Sequence, residues 1–226
     1  MTKRLILPLL LLCCSLAAGP AVAEDWSVAI GSGPFEFGRF GEKSQIAGTP
    51  DSTSNIKTSL SAATRAGGFV DIEHGFSARF ALRLEGSFTR APLLVRTGSG
   101  QSGVELGTGD ISVTSIILPL VFRVNPRGAI RFHIMGGPAF ANYNLRRTAS
   151  AQNSNFLFEG GRGRYGIAGG AGVGWWLGPH IAVEGQITDI VTSSPITRQE
   201  FTVATRGVSI PRPQNVHTTV ALRYRF

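Results

Sequence analysis

Cysteine is almost missing from this chain: of 226 residues only Cys13 and Cys14 are cysteines, side by side near its start. Charge is sparse, at 16 % of residues. Beyond the opening segment no window places apolar residues at i, i+3, i+4 and i+7, so nothing reads as an amphipathic helix. The first scarcity excludes a disulfide framework or a cysteine metal site downstream of residue 14. The missing helical period excludes a helical bundle or an alternating α/β fold. No low-complexity run or interdomain linker divides the chain, and about 200 residues suffice for a single domain.

The opening MTKRLILPLLLLCCSLAAGPAVAEDW supplies a compartment. Lys3 and Arg4 precede an apolar stretch from Leu5 to about Ala18, which closes at Ala21-Val22-Ala23. A basic start, a short apolar run and a small-x-small site describe a secretory signal peptide, expected over 1–23, with the mature domain at 24–226. A membrane-spanning helix needs about 20 apolar residues, and Pro8 and Pro20 interrupt a run already too short. A lipoprotein fits less well, since Leu12 stands before Cys13 where a small residue belongs. Both cysteines leave with the signal. The formal charge of +8 falls to +6 when Lys3 and Arg4 go. In an exported protein that charge points to anionic lipid head groups, not to nucleic acid.

What is present is period-two alternation. In ARFALRLEGSFTR, Phe80, Leu82, Leu84 and Phe88 fall on one face and Arg79, Arg83, Glu85, Ser87 and Thr89 on the other. IRFHI, IAVEGQIT and NVHTTVALRYRF repeat the pattern. Eight strands are predicted, over 26–37, 64–73, 78–90, 111–124, 129–143, 164–177, 180–190 and 216–226. The turns HGFS, NPRG and GPH are tight. The connections 38–63, 91–110, 144–163 and 191–215 are long and polar, and long and short alternate throughout. An eight-stranded antiparallel up-and-down transmembrane β-barrel has this asymmetry, with short turns on the periplasmic side.

Energy decides which face meets lipid. An arginine facing lipid at the midplane costs about 2–4 kcal/mol, so the apolar set faces outward and the charged set inward. The expected luminal network is Arg79, Arg83, Glu85, Arg131, Glu184, Gln186 and Arg223, with the two glutamates neutralising some of the arginines. Gly166, Ala168, Gly170, Gly172 and Gly174 on strand 6, with Gly137, Ala139 and Ala141 on strand 5, leave room for those long side chains. In SIILPLVF both faces are apolar, and its register stays open. Bulges are expected at Pro119 and Pro138. Trp26, Phe88, Phe140, Trp175, Trp176, Tyr224 and Phe226 suit an interfacial girdle.

IILPLVFRV, IMGGPAF and the terminal YRF, together with the eight-strand meander, resemble the small outer-membrane β-barrel family of OmpA/OmpX-like, porin-like proteins over 24–226. The resemblance implies an integral protein of the bacterial outer membrane. It also implies a last strand, with Tyr224 and Phe226, that is read by the barrel-assembly machinery. Loop arginines Arg146, Arg147, Arg162, Arg198 and Arg206 are candidates to contact lipopolysaccharide phosphates.

Gly161-Arg162-Gly163-Arg164-Tyr165-Gly166 spells GxGxxG but lacks the strand before and helix after it that a dinucleotide site needs. His74, His133, His180 and His217 have no metal-ligand spacing. No cofactor is expected. A monomeric, non-enzymatic envelope or surface-interaction role is expected. The alternatives are a narrow passive channel, an OmpW-like conduit for small or hydrophobic solutes, or lipid A chemistry using His217 with Ser193, Ser194 or Ser209.

Overall fold

The computed structural model describes residues 25–49, 52–99, 102–147, 160–197 and 208–226. The predicted signal peptide lies outside them. All regular structure among these residues is β: β1 Asp25–Phe37, β2 Gly41–Thr49, β3 Ser52–Ala62, β4 Arg65–Gly75, β5 Phe80–Ser99, β6 Ser102–Ile117, β7 Leu120–Arg123, β8 Ile130–Arg147, β9 Gly160–Trp176, β10 Ile181–Thr192, β11 Val208–Ser209 and β12 Gln214–Arg225. Every pairing is antiparallel. A ring closes through β1, β4, β5, β6 continued by β7, β8, β9, β10 and β12, with β12 returning to β1 from Ser27↔Arg225 to Phe37↔Asn215. This is an eight-stranded barrel. Closure matters because hydrocarbon offers no partner to an unpaired backbone edge.

Parity sets the wall. Along β5, Ala81, Arg83, Glu85, Ser87 and Thr89 are buried while Leu82, Leu84 and Phe88 are exposed. Ile30, Val70, Ile72, Ile134, Ile187, Val220 and Leu222 continue that exposed apolar surface around the ring. A soluble barrel places its apolar residues inside. Here they are outside and the charges inside, so the barrel is built for lipid. The open register of SIILPLVF is resolved: Ile116, Leu118 and Leu120 face outward, and Ile117 and Val121 are buried inside.

Proline placement corrects one expectation. No bulge forms at Pro138, which pairs with Ile167 in unbroken register. Instead the wall is interrupted between β6 and β7 at Leu118–Pro119, opposite Gly137 and Pro138, so both missing amide donors fall at one place. The amides of Leu118 and Arg83 bridge the break by donating to the carbonyls of Pro138 and Pro119, each at 3.1 Å. A Cβ at Gly137 would collide with the backbone of Leu118 and Pro119, so only glycine permits this approach. The register shift lies elsewhere, at Leu93/Leu94 against β6.

The periplasmic turns are short, as their composition requires. In the turn after β7, Gly128 adopts φ +97°. Asn125 closes that turn by donating to the carbonyl of Ile130 and accepting from the amide of Phe132. The opposite end is more regular than its polar composition suggests. Segments read as loops carry strands: β2 and β3 form a hairpin, and β5 and β6 run on well past the wall. Ala62–Lys57 of β3 pair with Leu93–Gly98 of β5, and Val208 and Ser209 of β11 pair with Lys43 and Glu42 of β2. The result is a sheet in the order β11–β2–β3–β5–β6 standing on the outer rim. Alternation in these segments joins Ser and Thr to small apolar residues, a contrast too weak to read as strand from sequence.

Candidate functional site

The lumen fills in tiers. Nearest the centre of the periplasmic half, strands β4, β5, β10 and β12 each point long charged side chains inward. Arg83 from β5 is 1 % exposed. It donates through Nε and Nη2 to Glu73 Oε2 at 2.9 and 2.6 Å, and through Nη1 to Glu184 Oε1 at 3.1 Å and to Gln186 Oε1. Arg223 from β12 donates to both Asp71 carboxylate oxygens at 3.0 and 2.8 Å, to Glu184 Oε2 at 2.6 Å and to Ser27 Oγ at 3.0 Å. Gln186 Nε2 donates to Glu85 Oε2 and Thr188 Oγ1, both at 2.9 Å. Two guanidiniums thus cross the lumen and bind carboxylates from opposite walls, with their planar forks matched to the acceptors.

The structure therefore brings together Arg83, Glu85, Glu184, Gln186 and Arg223. It adds Asp71 and Glu73, which the strand reading did not assign. The alternation Phe69, Asp71, Glu73 against Val70, Ile72 carried that signal. Arg79 is a correction: it lies in the turn after β4 and is exposed, because the inward face of β5 begins only at Ala81. Arg131 sits below the network, half-buried at the periplasmic mouth. There it and Arg225 stack on Trp176, with guanidinium carbons 4.5 and 4.6 Å from the ring centroid. Trp176 thus faces the lumen and is not part of the outer girdle.

Above the ion network the lumen turns neutral, then apolar. Ser87 meets Ser115, and Tyr143, Thr192 and Asn215 form a hydrogen-bonded chain, with 2.7 Å from Tyr143 Oη to Thr192 Oγ1 and 2.6 Å from Asn215 Nδ2 to Tyr143 Oη. At the outer end Phe40, Leu60, Leu93, Ile111, Leu145 and Ile196 pack into one buried cluster with Val208. Phe40 and Ile196 come from connecting segments, so the chain folds back over its own opening. Ser194 Oγ donates to the Phe40 carbonyl at 2.6 Å and accepts from the Ile196 amide at 3.1 Å. Arg164 Nε donates to the Ser194 carbonyl at 2.9 Å, and Arg162 Nη1 to the Pro195 carbonyl at 3.2 Å.

That geometry corrects the reading of Arg162 as an outward lipopolysaccharide contact. Even-numbered residues of β9 face inward, and Arg162 helps hold the lid. Arg146 is exposed near the end of β8, opposite Asp110 of β6, which also pairs with Arg90 at 2.8 Å. The side chain of Arg147 and all of Arg198 and Arg206 lie outside the described residues. On the outer sheet, burial resists ionisation of Glu42, but Lys57 at 3.2 Å and Arg39 at 2.7 Å outweigh it and hold the carboxyl below its usual range. Tyr224 and Phe226 point outward at the periplasmic edge, with ring centroids 5.2 Å apart.

No serine is hydrogen-bonded to a histidine among the described residues. His217 is buried in the lumen with its ring edge against Phe35. Ser194 is committed to the lid, and no hydrogen bond joins a serine to His217 among the described residues.

No family model matches the chain, and no curated protein matches it in sequence. Among solved structures it is similar to the outer membrane protein OprG from Pseudomonas aeruginosa. Identity is 13 %, covering 90 % of this chain and 96 % of that one, with a TM-score of 0.61. It is also similar to the outer membrane protein AlkL, whose structure is in DMPC lipid bilayers, at 11 % identity over 92 % and 93 % of the chains and a TM-score of 0.51. The outer membrane protease OmpT from Escherichia coli overlaps at 10 % identity over 93 % and 100 %, with a TM-score of only 0.48, too low to bear on activity. These likenesses are of fold. With the apolar exterior, they show a transmembrane β-barrel with the fold of these outer-membrane proteins.

Removing one partner from a buried ion network leaves the others charged and unpaired, which costs about 3–5 kcal/mol. Arg83→Met is therefore expected to lower unfolding stability in urea by that amount. Arg79→Ala, at an exposed turn, should stay within about 0.5 kcal/mol. Equal effects of the two would contradict the assignment.

Proposed function

We propose that this protein is a closed, monomeric, non-enzymatic barrel that serves the outer membrane as a structural element and presents its outer sheet for surface contact. The observation that carries this reading is the double occlusion of the lumen. An eight-stranded barrel is only wide enough for its own side chains or one small ligand. Here Arg83 and Arg223 bridge the walls at one level, and Phe40 and Ile196 seal the lumen at another. The bridged break at Leu118–Pro119 supports a closed wall, which counts against a lateral conduit for hydrophobic solutes. Ser194 is engaged with Phe40 and Ile196, and no serine among the described residues bonds His217, which counts against lipid A chemistry. One chain closes its own ring, as a monomer requires, and the aromatic β12 edge with Tyr224 and Phe226 suits reading by the assembly machinery.

Lipopolysaccharide is the expected lipid partner. Arg146 is exposed next to the last residue of β8, a position that suits contact with the phosphates of an anionic outer leaflet. The variant Arg146→Ala with Arg147→Ala is expected to retain several-fold less co-purified lipopolysaccharide per folded barrel, since losing about 1.4 kcal/mol of contact is a tenfold change. Unchanged retention would remove these arginines from the account.

Planar-bilayer recording tests the main proposal. Refolded protein, its folding checked by heat-shifted gel mobility, should give no discrete conductance steps. Steps that change on Arg83→Ala would show an open lumen and overturn it.

A further inference from the structure

Charge in the lumen is stratified. In the inner tier the carboxylates of Asp71, Glu73, Glu85 and Glu184 outnumber Arg83 and Arg223. At the periplasmic mouth the excess reverses: Arg123, Arg131 and Arg225 gather there, Arg123 reaching inward to Glu73 at 2.6 Å and Arg225 lying 3.6 Å from Asp25. A cavity of about 40 Å³ opens there among Arg123, Arg131, His133, Trp176, Arg225 and Asp25, with Glu73 and Glu184 at its inner end.

Two of these side chains have donors not satisfied by the protein. Arg131 bonds only through Nε, to the Gly128 carbonyl at 3.1 Å, which leaves both terminal nitrogens unpaired. His133 is 7 % exposed, and its Nε2 has no hydrogen-bond partner. Glu184 Oε1, which already holds Arg83, lies 3.6 Å from it, beyond hydrogen-bond reach. A buried polar nitrogen without a partner costs about 1–3 kcal/mol, which an acceptor bound in the cavity beside His133 would relieve. Arg123 is partly engaged with Glu73 at 2.6 Å, and Arg225 with the Pro179 carbonyl at 2.6 and 3.0 Å. Stacking on Trp176 fixes the orientation of both Arg131 and Arg225 before any ligand arrives, which lowers the entropic cost of binding.

We propose that this vestibule is a binding site for a single oxyanion, a carboxylate or phosphate group, presented from the periplasmic side. The cavity has room for about three water-sized groups, given about 10–15 Å³ of such volume for each. That suits one oxyanion and excludes a nucleotide or a sugar. Arg131 supplies a planar pair of donors to it and His133 a third from the side. The carboxylates of Glu73 and Glu184 are already bound by arginine, so they weaken the site without occupying it. Nothing in this assignment depends on the role of the outer sheet.

The test is a titration of ¹⁵N-labelled barrel in a zwitterionic detergent, following the indole N–H of Trp176. Sodium acetate and inorganic phosphate serve as separate probes at constant ionic strength, with sodium chloride as the control for screening. A saturable shift with acetate, phosphate or both is expected, and the tighter probe identifies the oxyanion. Arg131→Gln, which leaves the inner ion network whole, should weaken that binding at least tenfold, whereas Arg90→Gln, at an exposed arginine paired with Asp110, should leave it unchanged. Arg225→Gln provides a second variant should Arg131→Gln fail to fold. A shift that never saturates, that chloride reproduces, or that survives both mouth substitutions would overturn the proposal.

Discussion

The fold depends on charge neutralisation inside a narrow tube. A lipid-facing wall must be apolar, and with alternating side chains every second residue then points into a lumen where water is limited. Charges there are tolerable only when paired. Arg83 and Arg223 solve this together: each reaches across the barrel, each binds Glu184, and they divide Glu73 and Asp71 between them. The network also spans strands remote in sequence. Arg83 and Glu184 are 101 residues apart and Arg223 and Asp71 are 152 apart, so it ties β5 to β10 and the closing strand β12 to β4.

The small residues of β9 belong to the same constraint. Gly170, Gly172 and Gly174 line the wall facing the long side chains, and a Cβ at Gly172 would strike His133. Large groups on β5, β10 and β12 require small ones elsewhere around the ring, since a closed eight-stranded section has one filling volume. The outer half of the barrel satisfies this with apolar packing. There the connecting segments contribute Phe40, Ile196 and Val208, and Arg162 and Arg164 hold the lid by its carbonyls. The lumen is thus ionic below and oily above, with a neutral hydrogen-bonded layer between.

Much of this was legible in the residues. Clean alternation in ARFALRLEGSFTR and NVHTTVALRYRF carried both strand and facing, because lipid penalises the wrong face by kilocalories. Arg79 misled because period-two counting does not say where a turn ends and the wall begins. Asp71 and Glu73 were missed beside glycines and a histidine that blur the contrast. Trp176 looked like a girdle residue, since tryptophan suits either an interface or a cation stack and only its neighbours decide. The outer hairpins were hidden for a different reason. Outside the bilayer the energetic demand on alternation relaxes, and Ser-, Thr- and Gly-rich strands look like loops. The lid was not legible, because Phe40 and Ile196 gain their partners only through tertiary folding.

A double-mutant cycle on Arg223 and Asp71 tests the dependence on paired charge most directly. Unfolding free energies would be measured in urea for Arg223→Met, Asp71→Asn and the two combined. If mutual neutralisation holds the barrel, each single change leaves a buried charge exposed to its neighbours. The double variant should then be more stable than additivity allows, by about 0.5–3 kcal/mol. Strict additivity would mean that the two residues merely fill space, and that the ion network is not what the structure rests on.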